Sequence, residues 1–160
     1  MSDLNADDVA TLTPDAVGEL TADQISDLAP SALQGFISDQ VAELSTDAVA
    51  AFTTNQVMQL SAEAVSGLSK AQVSELSAKA VKGFNSDQLE QMPKRSFKAL
   101  ESEQLAKLSK DAVTGLTSTQ LKTLSGDELA AFRPGRIKSI SPESISGLKP
   151  AALDDLSKRQ

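Results

Sequence analysis

The sequence predicts an all-α fold, a solenoid of short helices of about six residues in which 8-residue units pair into 16-residue coils. Three observations lead there. An apolar residue stands at every eighth position from Leu4 to Leu156, and a second at every eighth position from Val9 to Leu153, with no insertion to break the phase. Helix-start residues recur at fixed places in the octad. The octads also alternate in kind, which doubles the true repeat to sixteen.

With the first apolar residue as position one, position two is Ser, Thr or Asn in thirteen of nineteen complete octads, as in Thr13, Ser61 and Ser109. Five of the six prolines (Pro14, Pro30, Pro134, Pro142, Pro150) fall at position three. A hydroxyl or amide before a tolerated proline is an N-cap followed by the first helical residue. Position four is acidic in eleven octads, among them Asp15, Glu63 and Asp111, which suits the positive end of a helix dipole. Positions one and six then form a hydrophobic staple, as in Leu12 with Val17 and Leu60 with Val65. Strict alternation, the mark of a strand, is absent. Helices this short are unstable alone, so each octad must pack on its neighbours. Ten coils spaced as packed helices are would make a rod of roughly 80 to 100 Å.

Position five reads Gln24, Gln40, Gln56, Gln72, Gln88, Gln104 and Gln120 in one series of octads. In the other it is small: Ala16, Ala32, Ala48, Ala64, Ala80, Ser96 and Ala112. Position eight of that second series is small from Gly35 to Gly147, which predicts a close-packed wall, and Phe36, Phe52, Phe84 and Phe132 each follow such a residue as core fillers. The glutamines are expected either to form a hydrogen-bonded ladder along the solenoid or to satisfy backbone groups at the turns. Ala29 before Pro30, and Ile37 at a cap position, predict a modified turn between them.

Residues 1–160 are expected to form one repeat domain of nineteen complete octads, with a twentieth split between the termini. No Cys or His is present, so redox and zinc chemistry have no ligands here, and no catalytic residue, cofactor or metal site is expected. The position-four acids lack the spacing and glycine of a calcium loop and are read as helix caps. A net charge of −7 with 3% aromatic residues argues against nucleic acid as partner. The start Met1-Ser2-Asp3-Leu4 has neither a basic stretch nor an apolar run, so neither a signal peptide nor membrane insertion is expected.

Charge is uneven along the chain. Residues 1–69 hold eleven acidic residues and no Lys or Arg, whereas the remainder holds fifteen basic and eleven acidic residues. Two octads depart from the motif, around Pro93 and around Pro134. Arg95, Phe97, Arg133 and Arg136 in them are candidate lateral contacts for a protein partner.

The octads LTADQISDL, FTTNQVMQL and LTSTQLKTL resemble the tandem L-[ST]-x-x-Q-[VIL]-x-x arrays of very large bacterial surface and adhesin-like proteins. That resemblance implies a stalk or spacer and brings no catalytic residues. Joining Gln160 of one molecule to Met1 of the next restores the octad pattern, with Met at position six. The expectation is therefore a structural protein that assembles head to tail with itself into a non-covalent filament, extracellular rather than cytoplasmic. Its interface would comprise Met1, Asp3, Leu4, Asp7 and Asp8 at one end, and Lys149, Leu153, Leu156, Lys158, Arg159 and Gln160 at the other. The alternative is a monomeric scaffold or adhesin segment presenting a lateral face to a partner.

Overall fold

The computed structural model describes residues 4–132 and 134–157. Among these the chain is helical from end to end, with no strand. Its elements are α1 (Ala6–Thr11), α2 (Pro14–Gly18), α3 (Ala22–Asp27), a 3₁₀ helix (Pro30–Gly35), α4 (Ser38–Glu43), α5 (Thr46–Ala50), α6 (Thr54–Gln59), α7 (Ala62–Ser66), α8 (Lys70–Glu75) and α9 (Ala78–Val81). There follow α10 (Ser86–Gln91), α11 (Lys94–Phe97), α12 (Ser102–Leu105), α13 (Lys110–Thr114), α14 (Ser118–Leu121), α15 (Gly126–Ala131), α16 (Pro134–Ile137), α17 (Pro142–Ile145) and α18 (Pro150–Ser157). The fold is an all-α solenoid of short helices.

Each octad is a helix with an extended link. The hydroxyl of Thr13 accepts from the amide of Ala16, and that of Ser61 from the amide of Ala64, so position two is the N-cap. The amide at position six donates to the N-cap carbonyl, as Val17 does to Thr13 at 3.0 Å. The next position-one amide then donates back to position six, as Leu20 does to Val17 at 3.1 Å. This three-residue bond ends the helix, and the residues at positions one and two leave in extended conformation, as Leu12 and Thr13 do. Between Ala29 and Ile37 the cap hydroxyl is missing, and the modified turn is a 3₁₀ helix.

Stacking corrects the expected 16-residue coil. Every helix packs on the one three elements away: α1 on the 3₁₀ helix, α2 on α4, α3 on α5, and so to α15 on α18. Contacts between turns fall at offsets of 25 to 31 residues. The reason is geometric: each octad sends two apolar side chains inward, and a pair of helices cannot surround four of them. About 28 residues per turn gives five to six turns, so the solenoid is roughly 45 to 60 Å long at the usual spacing of packed helices, not 80 to 100 Å. The surface agrees: 7979 Å² for 16.8 kDa is close to the roughly 7,700 Å² of a compact monomer of that mass. One core runs from Val9 to Ala152 and includes all five phenylalanines.

The two series therefore do not occupy separate walls. Three is an odd step, so each helix of the small series packs on a helix of the glutamine series. Gly67 has ordinary right-handed helical dihedrals, and no glycine among the described residues has positive φ. Proximity is what requires it, because a Cβ there would overlap the carbonyl oxygen of Ser38. Gly35, Gly83, Gly115 and Gly147 meet the carbonyls of Ala6, Thr54, Ser86 and Ser118 in the same way.

One substitution should act with opposite signs at two glycines. Gly67→Ala forces the turns apart and is expected to lower stability by about 1 to 3 kcal/mol. Gly135, in α16, has nothing within 4 Å of an added Cβ, and Gly135→Ala should raise stability by about 0.4 to 1 kcal/mol through the unfolded chain. Denaturant midpoints of the two variants check both signs.

Candidate functional site: the glutamine ladder

The polar side chains buried in the solenoid are Gln40, Gln56, Gln72, Gln88, Gln104 and Gln120, each at most 4% exposed, together with Ser96. All six glutamines make the same set of bonds. The carboxamide oxygen accepts from the N-cap amide of its own helix, at 2.7 to 3.1 Å from Ile37, Thr53, Ser69, Asn85, Glu101 and Thr117. The carboxamide nitrogen donates to two backbone carbonyls at the end of the helix four octads earlier. Gln56 donates to Ile25 and Leu28 at 2.7 and 3.0 Å, and Gln88 to Val57 and Leu60 at 2.8 and 2.6 Å. Gln40, Gln72, Gln104 and Gln120 do the same to Val9 and Leu12, Val41 and Leu44, Val73 and Leu76, and Leu89 and Met92. The glutamines do not bond one another. Each caps the start of one helix and the end of another, and so ties successive turns together.

Two other position-five side chains also bond an earlier turn, Arg136 in the glutamine series and Ser96 in the small series. Ser96 donates to the carbonyl of Leu68 at 2.6 Å, 28 residues back, and Arg136 donates to the carbonyl of Ala106, 30 residues back. No buried side-chain polar atom among the described residues is left without a partner.

Two residues expected as lateral contacts are thereby corrected. Phe97 occupies position six and is 1% exposed in the core, and Arg136 is half-buried with its guanidinium on the backbone. Arg95 is exposed, and Arg133 lies outside the described residues.

Of the expected end interface, Leu4 is half-buried and Asp7, Asp8 and Lys149 are exposed. Asp8 closes a capping box, accepting from the amide of Asn5 at 3.0 Å. Leu153 and Leu156 lie in α18, with side chains outside the description, and Met1, Asp3, Lys158, Arg159 and Gln160 lie outside the described residues. Gln24 accepts from the amide of Thr21, and its carboxamide nitrogen donates to no described residue.

Among the described residues there is no pocket, no cluster of acidic residues able to hold a metal ion, and no helix long and apolar enough to cross a membrane. The chain matches no family model and no curated protein.

Sequence reasoning missed the exposed cations around α11. Lys70, Lys94, Lys98 and Lys122 lie far apart in sequence, and only the three-element stacking brings α8, α11 and α14 side by side.

The ladder makes a graded prediction. Gln72→Glu replaces two donors with a carboxylate facing two carbonyls, and should cost at least the 1 to 3 kcal/mol of one unsatisfied buried group. Burial raises the pKa of that introduced carboxyl, so the variant should be less impaired at about pH 4 than at pH 7, the protonated acid keeping one donor. Gln24→Glu, at a glutamine whose nitrogen holds no described carbonyl, should be nearly neutral. Urea unfolding of both variants at the two pH values tests the ranking.

Proposed function

We propose that this chain is a structural repeat protein, a rigid solenoid scaffold that presents its outer surface to a partner. The observation that carries this reading is the ladder. Recurring bonds at fixed offsets hold a series of helices, none stable alone, in a single register. The buried polar groups are used in holding the stack, and what remains for other molecules is a regular lattice of exposed side chains. The likeness of the octads to arrays in bacterial surface proteins supports a place on the cell exterior.

A second reading, the head-to-tail filament, is favoured by Gln24. Numbered continuously across a junction, its free nitrogen would stand 31 and 28 residues after Leu153 and Leu156 of the preceding molecule, the offsets used throughout the ladder. Two neighbours oppose it. Asp8 stands where a donor would be needed, facing the carbonyls of Ile137 and Ile140. Glu19 takes the place that is Gly or Ala in the later octads of its series, and would press on the carbonyl of Pro150. The scaffold reading is preferred for that reason.

Negative-stain microscopy should show discrete particles roughly 45 to 60 Å long at the usual helix spacing. The variant Asp8→Gln with Glu19→Gly, which restores the repeat at the first turn, should gain end-to-end growth. Fibres of the parent protein with an axial repeat of one chain would overturn the scaffold reading in favour of the filament.

A further inference from the structure

Two complementary stripes lie on the outside of the solenoid. The stacked helices α2, α4 and α7 carry Asp15, Glu19, Asp39, Glu43 and Glu63, all exposed, with no Lys or Arg among them. The stacked helices α8, α11 and α14 carry Lys70, Lys94, Arg95, Lys98 and Lys122, also exposed. Apart from Glu75, these three helices hold no acid. None of the ten stripe residues makes an ion pair with a described residue.

The basic stripe is built against local preference. Position four is acidic in most octads, yet α11 begins with Lys94 and Arg95, cations at the positive end of a helix, and Pro93 supplies no capping side chain. Residues that break a local rule without a partner inside the molecule point to one outside it. Because one repeat builds both stripes, each presents its charges on three helices stacked at the same step, so the spacing of one matches that of the other.

From this we infer that the basic stripe is a docking surface for the acidic stripe of a second copy of the chain. The inference rests on the scaffold reading, and names the partner of its lateral face. Exposed charge pairs set specificity and encounter rate more than affinity, so the association is weak and salt-sensitive.

Salt dependence separates this pairing from the alternatives by sign. Copies of net charge −7 that meet without complementary stripes repel more strongly as salt is lowered. Stripe-to-stripe pairing strengthens instead. Sedimentation velocity of the whole chain is expected to show self-association that tightens at least tenfold between about 0.5 M and 20 mM NaCl, where screening retreats. Lys94→Glu with Arg95→Glu and Lys98→Glu should abolish it, and the pair Lys94→Glu with Arg95→Glu alone, both at the helix start, should also raise the melting temperature. The neutral triple change to Gln should abolish it as well. Asp39→Lys with Glu43→Lys should also be monomeric, and an equimolar mixture with the Glu triple variant should associate again. A parent that stays monomeric at low salt, or a mixture that fails to pair, overturns the inference and leaves the scaffold reading intact. Fibres with a one-chain repeat overturn the scaffold reading itself.

Discussion

A helix of six residues leaves most of its backbone amides and carbonyls without partners, because the first four donors and last four acceptors of any helix lie outside its own ladder. In a long helix this is an end effect, whereas here it is nearly the whole helix, repeated nineteen times. The solenoid answers with a capping hydroxyl or amide in most octads and one carboxamide per pair of octads. The hydroxyl serves its own helix, and the carboxamide serves two helices at once. Apolar burial along the core supplies the drive to stack, but it does not select a register, since Leu and Val pack nearly as well if a turn slides. The two carbonyls waiting for each carboxamide do select one, because a slide would leave them buried and unpaired.

What could be read from the sequence follows from the range of each interaction. Caps, staples, helix ends and the inward apolar rows all act within one octad, and they stand where the spacing of Thr13, Val17 and Leu20 places them. The number of octads per turn did not follow, because Gln56 meets Ile25 and Leu28 only after the chain has come full circle. Sixteen residues is the period of the chemistry, and about 28 that of the geometry; nothing requires the two to agree. The same gap explains the lateral residues. Arg95 lay in an anomalous octad and could be noticed, while its neighbours Lys70 and Lys122 looked like ordinary surface positions until stacking joined them. Phe97 was misread because an unusual residue at position six is still at position six, and that position faces inward.

Arg136 shows how the glutamine position is filled when its usual residue is absent, and Ser96 adds a bond where the small series otherwise has Ala. Arg136 differs from glutamine in size and charge, yet it donates to a carbonyl 30 residues back, and Ser96 donates to one 28 residues back. At Arg136 the glutamine's place is held by another hydrogen-bond donor of adequate reach, so the bond there persists although the letter changes. The glycines express the complementary requirement. Gly35, Gly67, Gly83, Gly115 and Gly147 mark places where another turn's backbone comes so close that the absence of a side chain is the relevant property.

The odd stacking step also limits how a gene for such a protein can lengthen or shorten. Loss of a single octad keeps the apolar rows in phase, but for one turn it would set small-series helices on one another, with the close-approach residues facing the wrong helix starts. Loss or gain of sixteen codons preserves every pairing. Recombination between repeats should therefore be tolerated in double units and resisted in single ones, so that the length of the molecule can drift while the kind of contact at each turn stays the same.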